Sequence, residues 1–224
     1  MRHAAKADRR PLLAFLLVLL AGGAVLFWTY GRPAAEGAPA AAAPPSADAP
    51  GQAPAESAGT VPADGPIVPV RLSIPSIDVD AAVESRGTVR YENAFTGQPV
   101  TGFGVPESMA TTSWWSDGPQ PGSGQMAVVL GHQNAAGPAV FNRLEELRPG
   151  DRMTLTDADG AVLTLEVLGE PLTGLDKATS ALSDALNGHP ADADVALVTC
   201  GGEFDDAAGT STMNTVVFAT VVAA

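Results

Sequence analysis

Short apolar runs separated by turn-forming residues fill the C-terminal two thirds of the chain, and they limit the fold more than any other feature. The runs IVPVRLSIPSIDVDAAV, QMAVVLGH, DVALVT and NTVVFATVVA are rich in valine, isoleucine and leucine. DRMTLTDADGAVLTLEVLGE has the pattern of two strands joined by a tight turn. Helical patterns are short, at residues 139–147 and 179–187. The sequence therefore predicts a mostly β domain, a barrel or a sandwich, with a few short helices.

The N-terminus has a different character. A basic tail, residues 1–10, precedes an uncharged apolar segment, residues 11–30. About 20 apolar residues are enough for a helix to cross a bilayer, and basic residues favour the cytoplasmic side. We expect a single-pass transmembrane anchor in the cell membrane, with a cytoplasmic N-terminus and the rest of the chain outside the cell. A cleaved signal peptide is the alternative, and it would also export the rest.

Residues 31–66 are rich in alanine, proline, glycine and serine and contain almost no large apolar side chain. Such a segment buries too little surface to offset the entropy lost on ordering. We expect a disordered linker that holds the following domain away from the membrane. The remaining residues, 67–224, have the length of a single domain.

The charge of residues 67–224 excludes some partners. They contain seven basic and 20 acidic residues, a balance that argues against binding nucleic acid or an anionic lipid surface. They also contain only one cysteine and two histidines, His132 and His189, so we expect neither a zinc site nor another cofactor.

Two reactive side chains follow similar apolar runs. His132 comes directly after AVVLG, and Cys200 comes directly after VALVT. A cysteine nucleophile needs a base or a cation nearby, because the thiolate is the attacking form, and imidazole is the usual partner. The sequence favours a catalytic pair at two strand ends. A buried, unreactive Cys200 with a hydrogen-bonded His132 is the alternative from the pattern alone.

The residues around this pair carry a family resemblance. The stretches GHQNAAGPAVFNRLEELRPGD and VALVTCGGEFD, with RLSIPSIDVDA before them, resemble the sortases of actinobacteria. The class usually called F is the most similar, and class E is the neighbouring option. The resemblance extends over about residues 67–222 and implies a closed sortase-type β-barrel.

The resemblance also implies an activity. Sortases are cysteine transpeptidases that cut a sorting signal of the LPxTG type and join it to an amine. Cys200 would form a thioester with the threonine carbonyl, and His132 would serve as acid and base. The implied partners are the sorting signals of secreted surface proteins and an amine acceptor on a cell-wall precursor or a pilin.

One position departs from the family pattern. Sortases have an arginine before the last strand, and an ungapped alignment from Cys200 places Thr212 there. No lysine or arginine follows Lys177. Arg86, Arg90 or Arg143 could supply the missing charge from another loop, or backbone N–H groups could stabilise the oxyanion alone. Two hypotheses follow: a transpeptidase weakened by this substitution, or a degenerate sortase-fold protein that binds a peptide or a partner without turnover.

Overall fold

The computed structural model describes residues 61–223, which contain twelve strands, one α-helix and two 3₁₀ helices. The strands are β1 Val61–Pro62, β2 Pro69–Ile74, β3 Val79–Arg86, β4 Thr88–Glu92, β5 Pro99–Phe103, β6 Thr112–Trp115, β7 Ala127–Gly131, β8 Arg152–Asp157, β9 Ala161–Val167, β10 Leu172–Asp176, β11 Val195–Asp205 and β12 Thr210–Val222. The α-helix is α1, Ala181–Asn187, and the 3₁₀ helices are Pro75–Ile77 and Leu144–Glu146.

Eight strands close into a barrel in the order β9-β8-β2-β3-β6-β7-β11-β12. The ring closes where β12 returns to β9, with Ala219 opposite Val167. β1 extends the sheet beside β9, and β10 lies beside β12, while β4 and β5 form a separate hairpin. Closure leaves fewer exposed strand edges than an open sandwich would. The predicted closed β-barrel is confirmed.

The barrel strands bury side chains on two faces. One cluster, which includes Leu72, Val129 and Leu197, fills the interior of the barrel. The alternate residues of β7, β11 and β12 form a second cluster on the outside, which helix α1 covers through Leu186. Strands that are buried on both faces need continuous apolar sequence, and this explains the unbroken runs AVVL, VALV and VVFA.

The packed domain begins earlier than the sequence suggested. β1, which belongs to the segment expected to be a linker, pairs with Ala161 and Val162 of β9. Ala63 packs against the interior cluster, and the nearby Ile67 is buried. Residues 61–66 are therefore part of the fold, because the edge of β9 offers them hydrogen-bond partners.

The predicted anchor, residues 11–30, the basic tail and the linker up to residue 60 lie outside the described residues. Within residues 61–223, every helix is too short and too polar to cross a membrane. The helical prediction for residues 179–187 corresponds to α1. The one for residues 139–147 was too long, since only Leu144–Glu146 forms a helical turn.

The largest difference from the expectation is the length of β11 and β12. The apolar runs DVALVT and NTVVFATVVA predict strands separated by a loop over residues 200–213, but the two strands continue past Cys200 and form a long hairpin. The register shifts between Gly201 and Phe204, and Gly202 has a φ of +72°. A glycine in this conformation allows a bulge after which pairing resumes. Cys200 therefore lies within a strand and not at its tip.

Candidate active site

His132 and Cys200 follow neighbouring parallel strands. β7 and β11 pair in parallel, and the last registered pair is Leu130 with Val198. Each candidate residue is two positions beyond its member of that pair. Because side chains alternate with a period of two, Cys200 continues the outer face of the barrel that Val198 occupies on β11, and His132 directly follows the end of the neighbouring β7. Cys200 is half-buried, so its sulfur is neither sealed in the core nor fully exposed.

A buried hydrogen bond ties the two motifs together. Thr199 Oγ1 donates to the carbonyl oxygen of Gly131 over 2.8 Å. These are the residues that directly precede Cys200 and His132, and both are buried. The bond adds a side-chain link beyond the last backbone pair of β7 and β11. It therefore sets the distance between the two backbone segments at the site. A threonine before the cysteine therefore has a structural reason here.

The glycine before the histidine also has a structural reason. A Cβ added at Gly131 would lie 2.3 Å from Cδ2 of Phe141, whose ring is fully buried. The backbone N–H of Phe141 donates to the carbonyl oxygen of His132 over 2.9 Å. The absence of a side chain at residue 131 thus lets Phe141 close the loop that follows His132 against the barrel.

The ring of His132 is held by the backbone of another loop. Its Nε2 lies 2.8 Å from the carbonyl oxygen of Pro106. A carbonyl oxygen only accepts, so Nε2 is the protonated nitrogen of this contact. Nδ1 is then the nitrogen that remains available for proton transfer.

Glu84 fixes the segment that contains Pro106. Its carboxylate accepts a 2.5 Å hydrogen bond from Thr111 Oγ1 and 3.1 Å bonds from the backbone N–H of Glu107. The Thr111 bond is the main reason that the pKa of Glu84 lies below its ordinary value; partial burial opposes it. The Glu107 N–H and the charges of Arg86 and His132 lower this pKa further. The ionised carboxylate thus stabilises the loop that orients His132.

The low pKa of Glu84 predicts a pH-dependent contribution to stability. A lowered folded-state pKa gives stabilisation that is present above the ordinary glutamate range and is lost as pH falls through the lowered value. We expect Glu84→Gln and Thr111→Val to lower the melting temperature at neutral pH, and the deficit to shrink at acid pH. Differential scanning calorimetry across this range measures it. A deficit of the same size at both pH values would contradict the role of the carboxylate charge.

Lys177 is a side chain beside Cys200 that the sequence analysis did not identify. Its Nζ donates to Cys200 Sγ over 3.2 Å and to Thr210 Oγ1 over 3.1 Å. Its backbone N–H donates to the carbonyl oxygen of Thr212 over 3.0 Å. Lys177 directly follows β10, and the pairing of β10 with β12 brings it to the cysteine. One signal was present in the sequence, since Lys177 is the only lysine after residue 6.

The arginines that were considered as replacements have other partners or positions. Arg143 binds Asp78 and Glu146 at 2.6 and 2.8 Å, and the Glu146 hydrogen bond is the main cause that raises its pKa. Arg86 binds Glu107 at 2.6 Å, and Arg90 is exposed on β4. Thr212 is half-buried on β12. Among the basic side chains of residues 61–223, Lys177 is the one within hydrogen-bond distance of the sulfur.

A concave surface of the described residues lies away from these side chains. It has a volume of about 560 Å³ and is lined by the segments 77–81, 108–110, 138–140 and 142–143. Neither His132, Lys177 nor Cys200 lines it, so this cavity is not part of the candidate site. In residues 61–223, no three side chains of histidine, cysteine, aspartate or glutamate form a group able to hold a metal ion.

Comparison with known families agrees with the motifs. Residues 72–222 match the sequence model of the Sortase domain. The chain belongs to the sortase family. Members of this family are cysteine transpeptidases, and Cys200 is the only cysteine that this sortase has. A comparison with curated proteins gave no match.

Solved structures of similar fold are also sortases. Sortase A from Corynebacterium diphtheriae is 20% identical with a TM-score of 0.48, over 71% of this chain and 62% of that one. Sortase C-1 from Actinomyces oris is 21% identical with a TM-score of 0.49, over 70% and 75% of the two chains. The Clostridium perfringens sortase D5 transpeptidase is 17% identical with a TM-score of 0.46, over 74% and 83%. This chain thus spans less than two thirds of the C. diphtheriae protein.

Proposed function

We propose that this sortase cleaves an LPxTG-type sorting signal between threonine and glycine through a thioester on Cys200, and transfers the acyl group to an amine. The observation that carries the proposal is the hydrogen bond from Thr199 to Gly131, which joins the residues directly before Cys200 and His132. With the parallel register of β7 and β11, it supports a nucleophile and an acid–base group on one face of the barrel.

The proposed reaction has two steps. In the first, the Cys200 thiolate attacks the threonine carbonyl carbon, a C–S bond forms, and the electron pair moves to the carbonyl oxygen. The C–N bond to glycine then breaks while imidazolium at His132 gives its Nδ1 proton to the leaving amine. In the second, an incoming amine attacks the thioester, His132 takes its proton, and the C–S bond breaks to release the thiolate.

The substrates and the setting are part of the proposal. We propose the sorting signals of secreted surface proteins as acyl donors, and an amine of a cell-wall precursor or a pilin as the acceptor. We also propose that residues 11–30 anchor the enzyme in the cell membrane with residues 31–60 as a spacer. Tethering enzyme and substrate to one membrane raises their effective concentration. The motifs GPAVF, CGG and FD support placement in class F, with class E as the neighbouring option.

The binding-only alternative rested on Thr212 at the position of the usual arginine. An uncharged hydroxyl there leaves the nucleophile without a cation from β12. The ammonium of Lys177 lies 3.2 Å from the sulfur, so the site does contain a positive charge. This contact favours a transpeptidase over a protein that only binds peptide.

A covalent trapping experiment tests the proposal. Purified full-length protein is incubated with a set of LPxTG-type peptides, with and without hydroxylamine as the amine. We expect mass spectrometry to show an acyl adduct on the wild type, its conversion to a hydroxamate by hydroxylamine, and neither product with Cys200→Ala.

Two results would overturn the proposal. Peptide binding by calorimetry without any adduct on the wild type would leave the binding-only function. Equal product formation by Cys200→Ala would exclude a thioester on Cys200.

A further inference from the structure

We propose that Lys177 is a catalytic residue of this sortase, supplying from the end of β10 the positive charge that stabilises the Cys200 thiolate and the oxyanion. The role in stabilising the oxyanion rests on the proposed function. The role in stabilising the thiolate does not, because the thiolate is present in the free enzyme.

The backbone of Lys177 lies beside Thr212 of β12, the position that the usual arginine occupies. Asp176 lies opposite Met213 in the β10–β12 ladder, and the Lys177 N–H bonds the Thr212 carbonyl at 3.0 Å. Asn93 Nδ2 donates to the Lys177 carbonyl oxygen over 2.9 Å from the turn between β4 and β5. The backbone of the lysine is therefore fixed from two sides, and its side chain reaches Cys200.

The partners of the ammonium point to a thiolate. Residues 61–223 contain 21 acidic residues, yet no carboxylate among them lies within 4.0 Å of Lys177 Nζ. Its two contacts there are the Thr210 hydroxyl and the Cys200 sulfur. Only the sulfur can carry a negative charge. A cation beside a half-buried thiol favours the thiolate, which is the nucleophilic form.

The same ammonium can stabilise the negative charge as it moves from the sulfur to the carbonyl oxygen during the reaction. It has three donors, and the two contacts leave one of them for substrate. When the sulfur attacks, the negative charge moves to a carbonyl oxygen only two bonds from the sulfur. A preorganised donor of this kind stabilises the developing oxyanion. Lysine is a point charge without the planar fork of a guanidinium, so it does not hold one substrate group through two parallel hydrogen bonds. We therefore expect its effect mainly in kcat.

The test compares a neutral variant with a relocated charge. Lys177→Met removes the ammonium and keeps an unbranched chain. We expect iodoacetamide to alkylate Cys200 about tenfold more slowly. This is toward the low end of the effect expected when a unit charge beside the sulfur is removed. We expect kcat for an LPxTG-type peptide to fall by about 10²- to 10³-fold with little change in KM. Adding Thr212→Arg to Lys177→Met should restore alkylation and part of kcat, because the charge returns from β12.

Two controls accompany these variants. Lys177→Arg keeps the positive charge and should retain the alkylation rate. It therefore separates the loss of charge from any effect of substitution on folding. Arg152→Met removes an exposed cation that lies 3.5 Å from Glu166 on the neighbouring strand, and it should leave both rates unchanged.

The outcomes separate the two proposals. Slower alkylation of Lys177→Met, with no peptide turnover by any variant, would support the thiolate role and overturn the transpeptidase function. Normal alkylation and turnover by Lys177→Met would overturn the role of Lys177 and leave the transpeptidase function standing. Mass spectrometry that finds the acyl group on Lys177 would also overturn it, because the side chain would then act as a nucleophile and not as a cation.

Discussion

Replacing His132 with alanine should reduce acyl transfer to an amine by about 10²- to 10⁴-fold, the range for loss of a general acid–base group. The imidazole gives a proton to the leaving amine and takes one from the incoming amine, so both steps lose their proton relay. Its ring is oriented by the Pro106 carbonyl at 2.8 Å, and the side chain is only half-buried. We therefore expect the loss in kcat without a comparable loss of stability.

His189→Ala is the matched control, because His189 is the other histidine of residues 67–224 and, like His132, is half-buried in a loop. Single-turnover kinetics should show slow thioester formation with His132→Ala and normal kinetics with His189→Ala. Melting curves of both variants should resemble that of the wild type. Retention of transfer within threefold by His132→Ala, with intact Cys200 dependence, would assign the proton transfers to another group.

The sequence was a good guide to the barrel because the fold depends on local patterns. Continuous apolar runs at β7, β11 and β12 identified strands buried on two faces. The extension of β11 and β12 beyond Cys200 was missed, because GGEFDDAAGTSTM reads as a polar loop. That hairpin depends on cross-strand pairing and on a bulge at Gly202, which neighbouring residues in the sequence do not specify.

The sequence identified some residues of the candidate site and missed others for the same reason. The motifs around His132 and Cys200 are contiguous in sequence, and in this chain the parallel pairing of β7 with β11 makes them neighbours. Lys177 could not be found this way. It approaches Cys200 because β10 pairs with β12 and because Asn93 holds its backbone from 84 residues away in the sequence. Contacts set by such distant pairings leave no periodic pattern in the chain.

Replacing Gly131 with alanine should cost about 3 kcal/mol of stability, toward the upper end for overpacking a core. The added Cβ would lie 2.3 Å from a ring carbon of Phe141, and that ring is fully buried, so either the ring or the backbone must shift. For a domain of this size, this corresponds to a fall in melting temperature of about 6–12 °C. Transfer activity should fall as well, since Phe141 bonds the carbonyl oxygen of His132.

Gly169→Ala is the matched control for this prediction. A Cβ at Gly169 would meet no atom within 4 Å. The same substitution there should be neutral or stabilise the protein by about 0.4–1 kcal/mol, by restricting the unfolded chain. Thermal melts and peptide assays on both variants measure the contrast. If Gly131→Ala melts like Gly169→Ala and keeps full activity, then the close approach of Phe141 does not position His132. The glycine of the GH motif would in that case need an explanation in the bound substrate.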